Sequence, residues 1–471
     1  MDMTPSLRAS PSAQGVDADG IVAFLDAVER DPRIEPHGVI IQRHGHRIAE
    51  GYWAPHTGGR ARLVYSLSKS FTGTALALLL GDGLLSLDDL VSDHLPELFD
   101  VLGSDTDART RRMRIRHIAS MATGHDRETL PEAAAIDPTD PVRGFLAIPP
   151  DAEPGTLFAY NQPPVLALAR ILERLAGERL TDQLRPRVLD PLGVREFRWA
   201  QTASGGDLGF SGVYTDLDAV ARLGQLYLDD GLWEGRRLLP EGWVAEASAV
   251  QVANPERDEP DWQQGYGFQL WMSRHGYRGD GAFGQYMVVL PEFDAVIAMF
   301  SCTEPMQVVL DAMWEHLLPA MHADPLPPSP ADGVLAQRLA TLALPTAVER
   351  LGGDAPDLPA MTFRRAPGVP SHPTVTTVET TGRSVIVSEA DGAIEVPLTE
   401  AWTNVDSSLA ASASRLADGR LVVDVVFLAT PHRLEIELDP STATFVARWP
   451  LVPLFGAGLA PRLAELQAPP V

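Results

Sequence analysis

The stretch Leu63-Val64-Tyr65-Ser66-Leu67-Ser68-Lys69-Ser70-Phe71-Thr72-Gly73 runs straight into Thr74-Ala75-Leu76-Ala77-Leu78-Leu79-Leu80. Its second half is apolar all round, and a helix with no polar face belongs at the centre of a large protein. The fold must therefore build its other layers about this segment. Ser66 and Lys69 stand at the mouth of the helix. Positions i and i+3 share a helix face, with Cβ atoms about 5–6 Å apart, so the lysine amine reaches the serine hydroxyl. The positive end of the helix dipole and the apolar surroundings disfavour an ammonium ion, which would leave Lys69 a free amine near neutral pH. A neutral amine beside a hydroxyl is a base beside a nucleophile. A Ser-x-x-Lys string arises by chance about once in a chain of this length, so the pair takes its meaning from its place on a buried helix and from partners elsewhere.

The 471 residues accommodate two or three domains with a full-sized core. A formal charge of −25, from 38 Lys and Arg against 63 Asp and Glu, argues against nucleic acid or an anionic membrane as partner. Cys302 is the single cysteine, so no internal disulfide can form and the chain suits a reducing compartment. Residues 1–8 lack the apolar core of a signal peptide, and no apolar run approaches the roughly 20 residues that span a bilayer. The expectation is a cytoplasmic protein.

Residues 1–19, rich in Ser, Pro, Ala and Gly, read as a flexible leader. A helix is expected over 21–30 and a hairpin of strands over 37–43 and 47–52, turning at His44-Gly45-His46. With no third ligand nearby, those histidines read as turn residues rather than a metal site. His125 follows a short helix at 114–122 and is a candidate for lining a site. Tyr160 and Asn161 precede a strongly periodic helix at 165–175, where polar groups can be presented to a cleft. Residues 213–229 read as an amphipathic helix capped near Thr215-Asp216. Strands are then expected at 265–271, 282–290 and 294–300. Strands at both ends of a helical middle make an α+β layer fold. Gly279-Asp280-Gly281-Ala282-Phe283-Gly284 matches a dinucleotide-binding string, but a strand pattern follows it, so there is no helix N-terminus for a pyrophosphate. The proline-rich run 324–330 is the clearest domain boundary. Beyond it come a helix at 333–344 and strands at 375–378, 384–387, 392–396, 421–427, 433–438 and 444–447, a small β-barrel or sandwich. The expected division is a body over 20–323, a linker over 324–330 and a C-terminal β domain over 331–471.

Taken together, Ser66-x-x-Lys69, the Tyr160-Asn161 loop and the glycine-rich strand at 279–285 resemble the serine β-lactamase and penicillin-binding-protein-like hydrolases. The resemblance covers roughly residues 20–320 and is nearest the class C-like branch, with its carboxylesterases, D-amino-acid peptidases and nylon-oligomer hydrolases. It implies an antiparallel sheet flanked by helices, with an all-α subdomain, and a hydrolase that needs no metal or cofactor. Ser66 would attack a carbonyl and form an acyl-enzyme, with Lys69 and a Tyr160 phenol of lowered pKa handling protons. The oxyanion would lie between the backbone N–H groups of Ser66 and Ala282. Asn161, Gln162, Gly279, Asp280, Gly281 and His125 would contact substrate.

The chain departs from the family pattern twice. Gln162 stands where Asn is usual in Tyr-x-Asn, offering the same amide one methylene further out. Gly279-Asp280-Gly281 stands in place of Lys-Thr-Gly or His-x-Gly, so the cation for a penicillin or D-Ala-D-Ala carboxylate is missing. Arg278 is one residue away and neighbouring strand positions face opposite sides. Asp280 would repel an anionic substrate if it pointed into the site. Weight therefore shifts to an esterase or amidase acting on small uncharged acyl substrates. The alternatives are a carboxypeptidase or β-lactamase activity, or a non-catalytic penicillin-binding-like module. For the C-terminal domain three roles stay open: shading the cleft, making a homodimer, or stabilising.

Overall fold

A computed structural model describes residues 7–454, 456, 458 and 459. The body is built on a six-stranded sheet of β1 (Ile34–Arg43), β2 (His46–Tyr52), β3 (Trp271–Met272), β4 (Tyr277–Gly281), β5 (Gln285–Leu290) and β6 (Ala295–Thr303). Their order is β2-β1-β6-β5-β4-β3, with every neighbouring pair antiparallel. Strands from both ends of the body thus meet in one sheet, with β1 lying beside β6. The principal helices are α1 (Ala18–Arg30), α2 (Ser68–Gly81), α3 (Gln162–Ala176) and α4 (Leu217–Leu228). Asp216 caps α4 by accepting from the Ala219 N–H, and Gly224 lets the helix settle on Val296 and Met287 of the sheet, where a Cβ would come within 2.7 Å of Val296. Every residue of α2 from Ser68 to Leu79 is buried. Among the described residues no helix is long and apolar enough to cross a membrane.

The stretch 213–229 divides: Val213–Thr215 is a strand in a small sheet with Arg62–Leu63 and Phe197–Trp199, and only Leu217–Leu228 is helical. The expected strand over 265–271 is mostly loop, and strand structure begins at Trp271. Of the expected leader, residues 8–17 lie along the body: Arg8 bridges to Arg47, Val16 bridges to Met321, and the Ser12 carbonyl accepts from the Leu326 N–H. Helix α5 (Pro330–Ala340), beyond the proline-rich run, packs on α1 and β2.

The C-terminal strands form one nine-stranded sheet that nearly closes into a barrel. They are β7 (Met361–Arg365), β8 (Thr377–Thr380), β9 (Ser384–Glu389), β10 (Gly392–Pro397), β11 (Thr403–Asn404), β12 (Leu409–Arg415), β13 (Leu421–Phe427), β14 (Arg433–Asp439) and β15 (Thr444–Arg448). The order is β10-β9-β8-β7-β15-β14-β13-β12-β11, antiparallel except for the parallel β7–β15 pair. Its own core includes Phe363, Val385, Val425, Ile436 and Phe445. Three strands, β7, β11 and β12, escape the sequence pattern. In β12 the run Leu409-Ala410-Ala411-Ser412-Ala413-Ser414-Arg415 has no β-branched or aromatic residue, yet it is paired on both sides and buried. Burial between neighbours overrides weak intrinsic preference there.

Candidate active site

A tight turn, Tyr65–Leu67, precedes α2 and presents Ser66 half-buried at its surface. The Ser68 hydroxyl fixes this turn, donating to the Tyr65 carbonyl at 2.6 Å and accepting the Val213 N–H at 2.9 Å. Tyr65 has φ of 48°, the left-handed region, which costs a residue with a Cβ about 1–2 kcal/mol. One helical turn on, Lys69 is 2% exposed. Its Nζ lies 2.7 Å from Gln162 Oε1, 2.8 Å from the Phe210 carbonyl oxygen and 3.3 Å from Ser66 Oγ.

Those three distances accommodate either charge state: an ammonium ion donates to all three oxygens, whereas a neutral amine donates to two. Gln162 Oε1 and the Phe210 carbonyl can only accept, so they take two N–H groups. A neutral amine has no third N–H, and its lone pair is left for the Ser66 hydroxyl, which then donates to it. Burial favours this state, bringing Lys69 from its usual range to about 7 against the opposing charges of Glu128 and then Asp280. No carboxylate hydrogen-bonds Lys69 among the described residues.

Tyr160 completes the group. Lys69 Nζ stands 4.7 Å from the centre of its ring, which stacks on Trp271 at 5.2 Å. The expectation of a phenol with lowered pKa is reversed. Burial first, then the charge of Asp280, push it above its ordinary value, and contact with Ser66 only partly offsets them. A neutral phenol can still donate a proton or pass one on; it is not a ready-made base.

The remaining predicted contacts separate. Gln162, the first residue of α3, faces Lys69. Asn161 is fully buried, and its Oδ1 accepts from both the backbone and the hydroxyl of Thr129 at 3.0 Å, which ties a loop to the helix start. His125 is likewise structural: one ring nitrogen meets the Thr123 hydroxyl at 2.9 Å and the other the Ile148 carbonyl at 3.1 Å. His44 occupies the β1–β2 turn, with φ of 49°, and His46 opens β2.

Strand β4 lies against the Ser66 turn because two glycines allow it. A Cβ on Gly281 would sit 2.0 Å from the Val64 carbonyl oxygen, and one on Gly279 would sit 2.2 Å from Ser70 Oγ. Gly281 has no room for a side chain against the Val64 backbone, and Gly279 stands where the family pattern puts a cation. Ala282 follows Gly281 at the strand end, partly exposed beside the turn. Between the glycines, Asp280 projects to the other face together with Arg278. Arg278 Nε donates to Asp280 Oδ2 at 3.0 Å, and its Nη1 donates to Asp261 O and Met272 O. The guanidinium is fully buried 4.2 Å from the Trp262 ring. It neutralises Asp280 and is not available to a ligand's carboxylate.

Three contributors went unnamed in the sequence reading: the Phe210 carbonyl, Glu128 and Trp271. A signal existed for the first. Phe210 lies between Gly209 and Gly212, both at positive φ and both pressed against alanine side chains, where a Cβ would fall 2.6 and 2.7 Å from its neighbour. Glycines so placed mark a backbone brought close to another element.

An antiparallel sheet, a fully buried helix carrying Ser-x-x-Lys and a helical lobe supplying Tyr160 and Gln162 define a hydrolase class. The chain belongs to the β-lactamase family, whose model matches residues 25–320. It is 26% identical over 314 residues to the 6-aminohexanoate-dimer hydrolase of Paenarthrobacter ureafaciens, spanning 62% of this chain and 79% of that one. It is 25% identical over 319 residues to penicillin-binding protein 4 of Amycolatopsis lactamdurans, spanning 57% and 81%. Among solved structures, EstCE1, described as a hydrolase with promiscuous acyltransferase activity, superposes with a TM-score of 0.53 at 20% identity, over 63% of this chain and 99% of that one.

Proposed function

We propose that the protein is a serine hydrolase that cleaves an ester or amide bond of a small uncharged acyl substrate through an acyl-enzyme on Ser66. The observation that carries this is the arrangement of Lys69. In its neutral form, two acceptor-only partners at 2.7 and 2.8 Å occupy both N–H groups and leave the lone pair to Ser66. Ser66 Oγ attacks the carbonyl while its proton passes to Lys69 Nζ, and the backbone N–H groups of Ser66 and Ala282 stabilise the oxyanion. The proton then goes to the leaving group, with the Tyr160 phenol as relay, and the C–O or C–N bond breaks. Water attacks the acyl-Ser66 ester by the reverse proton path and releases the acid.

The substrate class follows from β4. Gly279 supplies no cation, and Arg278 is paired with Asp280, so β4 itself offers no free cation for a substrate carboxylate. Carboxypeptidase and β-lactamase activity both depend on such a contact. Short-chain p-nitrophenyl esters and anilides are therefore expected to turn over, with Ser66→Ala inactive, while penicillins turn over poorly. Efficient penicillin hydrolysis with no esterase activity would overturn the reading.

A further inference from the structure

The Ser66 turn and the end of β4 share a feature that the chemistry above does not use. Tyr65, immediately before Ser66, has φ of 48°, and Phe283, immediately after Ala282, has φ of 66°. Side chains with a Cβ hold such conformations only where their surroundings enforce them. The two rings meet edge-on at 5.4 Å, and each meets the ring of His432, at 6.0 and 4.8 Å. Tyr65 Oη and His432 Nε2 are 2.6 Å apart, a short hydrogen bond between fully buried groups. His432 does not belong to the body. It sits in the β13–β14 turn of the barrel, and that turn is fastened to the same place twice more. The Leu63 N–H donates to the Ala429 carbonyl at 2.9 Å, and Arg62 donates to the Thr430 carbonyl at 3.1 Å.

We infer that His432 of the C-terminal barrel is a positioning residue for the Ser66 site, holding Tyr65 and Phe283 so that the N–H groups of Ser66 and Ala282 converge on one oxygen. This rests on the reading of Ser66 as nucleophile. The Ser66 N–H belongs to the peptide unit that rotates with Tyr65 ψ, so a shift of the Tyr65 ring turns that donor. Ala282 is held from both sides, by Gly281 against Val64 and by Phe283 against His432. Preorganised donors act through their placement, and small displacements cost rate more than they cost substrate binding.

The test uses the full chain with His432→Ala, His432→Gln and Tyr65→Phe. The readouts are kcat and KM on p-nitrophenyl butyrate, the rate of Ser66 labelling by a fluorophosphonate followed by intact mass, and Tm. His432→Ala and Tyr65→Phe are expected to lower kcat and labelling about ten- to a hundredfold with little change in KM. His432→Gln, which restores a hydrogen-bonding group, should recover most of the loss. If His432→Ala fails to fold, Tyr65→Phe, which removes one hydroxyl, decides alone. Wild-type kcat and labelling in the folded variants, whatever their Tm, would overturn the inference. Absence of labelling in the wild-type protein would sink the serine reading itself and this inference with it.

Discussion

In the proposed reaction Lys69 serves as a base only without its proton, and its value of about 7 places that change inside the physiological range. Below this value the ammonium form dominates and cannot accept the Ser66 proton. The kcat/KM for an ester should therefore rise with pH along a limb centred near 7, and Lys69→Arg should cost about 10²–10⁴-fold at pH 8. Glu128 is the larger of the two charges that hold the amine's proton on. It also accepts from the Gln162 and Leu130 N–H groups, contacts a glutamine can keep. Glu128→Gln should thus move the limb to lower pH without loss of Tm; an unmoved limb would show that another group titrates. The Ser66–Lys69 relation was readable because it is local, one turn of one helix. The state of Tyr160 was not, because its burial depends on Trp271, more than a hundred positions away. Asn161 and Gln162 were both expected to meet substrate because the spacing starts the helix at 165, three residues after its actual first residue, Gln162.

At the level of elements, the junction between β4 and α2 is set by close approach. Gly281→Ala would place a methyl group 2.0 Å from the Val64 carbonyl, and overpacking of this kind costs about 1–3 kcal/mol. Because the displaced segment includes the Ser66 turn, the variant should lose esterase activity in addition to Tm, measured by calorimetry and kinetics on one preparation. Asn161→Ala should act differently. It leaves the buried Thr129 N–H and hydroxyl without their acceptor, a cost of about 1–3 kcal/mol for each stranded group, with the Lys69–Gln162 contact one residue away as the path to any kinetic effect. The major helices and strands β1, β2, β5 and β6 of the body were legible from period and turn residues, whereas the short β3 and the glycine-broken β4 were not. Strand β12 and the strand Val213–Thr215 were not, the first for want of β-forming side chains and the second because its pattern continues that of α4.

Across the whole molecule, barrel and body meet at a buried cation that has no carboxylate hydrogen-bonded to it among the described residues. Arg62 donates to His37 Nδ1 at 2.7 Å, His56 Nδ1 at 3.2 Å and the Thr430 carbonyl, and burial lowers it to about 9. Both histidines must stay neutral to accept those bonds, and burial with the nearby guanidinium depresses them well below 6.5. In the unfolded chain they take up protons as pH falls through 6.5, so their contribution to stability is complete above that value and is lost progressively below it. Tm should decline on acidification from pH 7 to 5, and a His37→Asn, His56→Asn double variant should flatten that slope. Nothing in the sequence announced this junction, since it joins residues 368 positions apart that carry no shared motif.

Because β7 pairs in parallel with β15, the barrel waits for its own end. Arg364 meets Thr444 only after the intervening residues have been made. On a translating ribosome Ser66 emerges early, and His432, which seats on Tyr65, follows that tyrosine by 367 residues. A nascent chain would spend most of its synthesis with Tyr65 unsupported, and on the proposed reading catalytic competence would arrive only with the strands that carry His432.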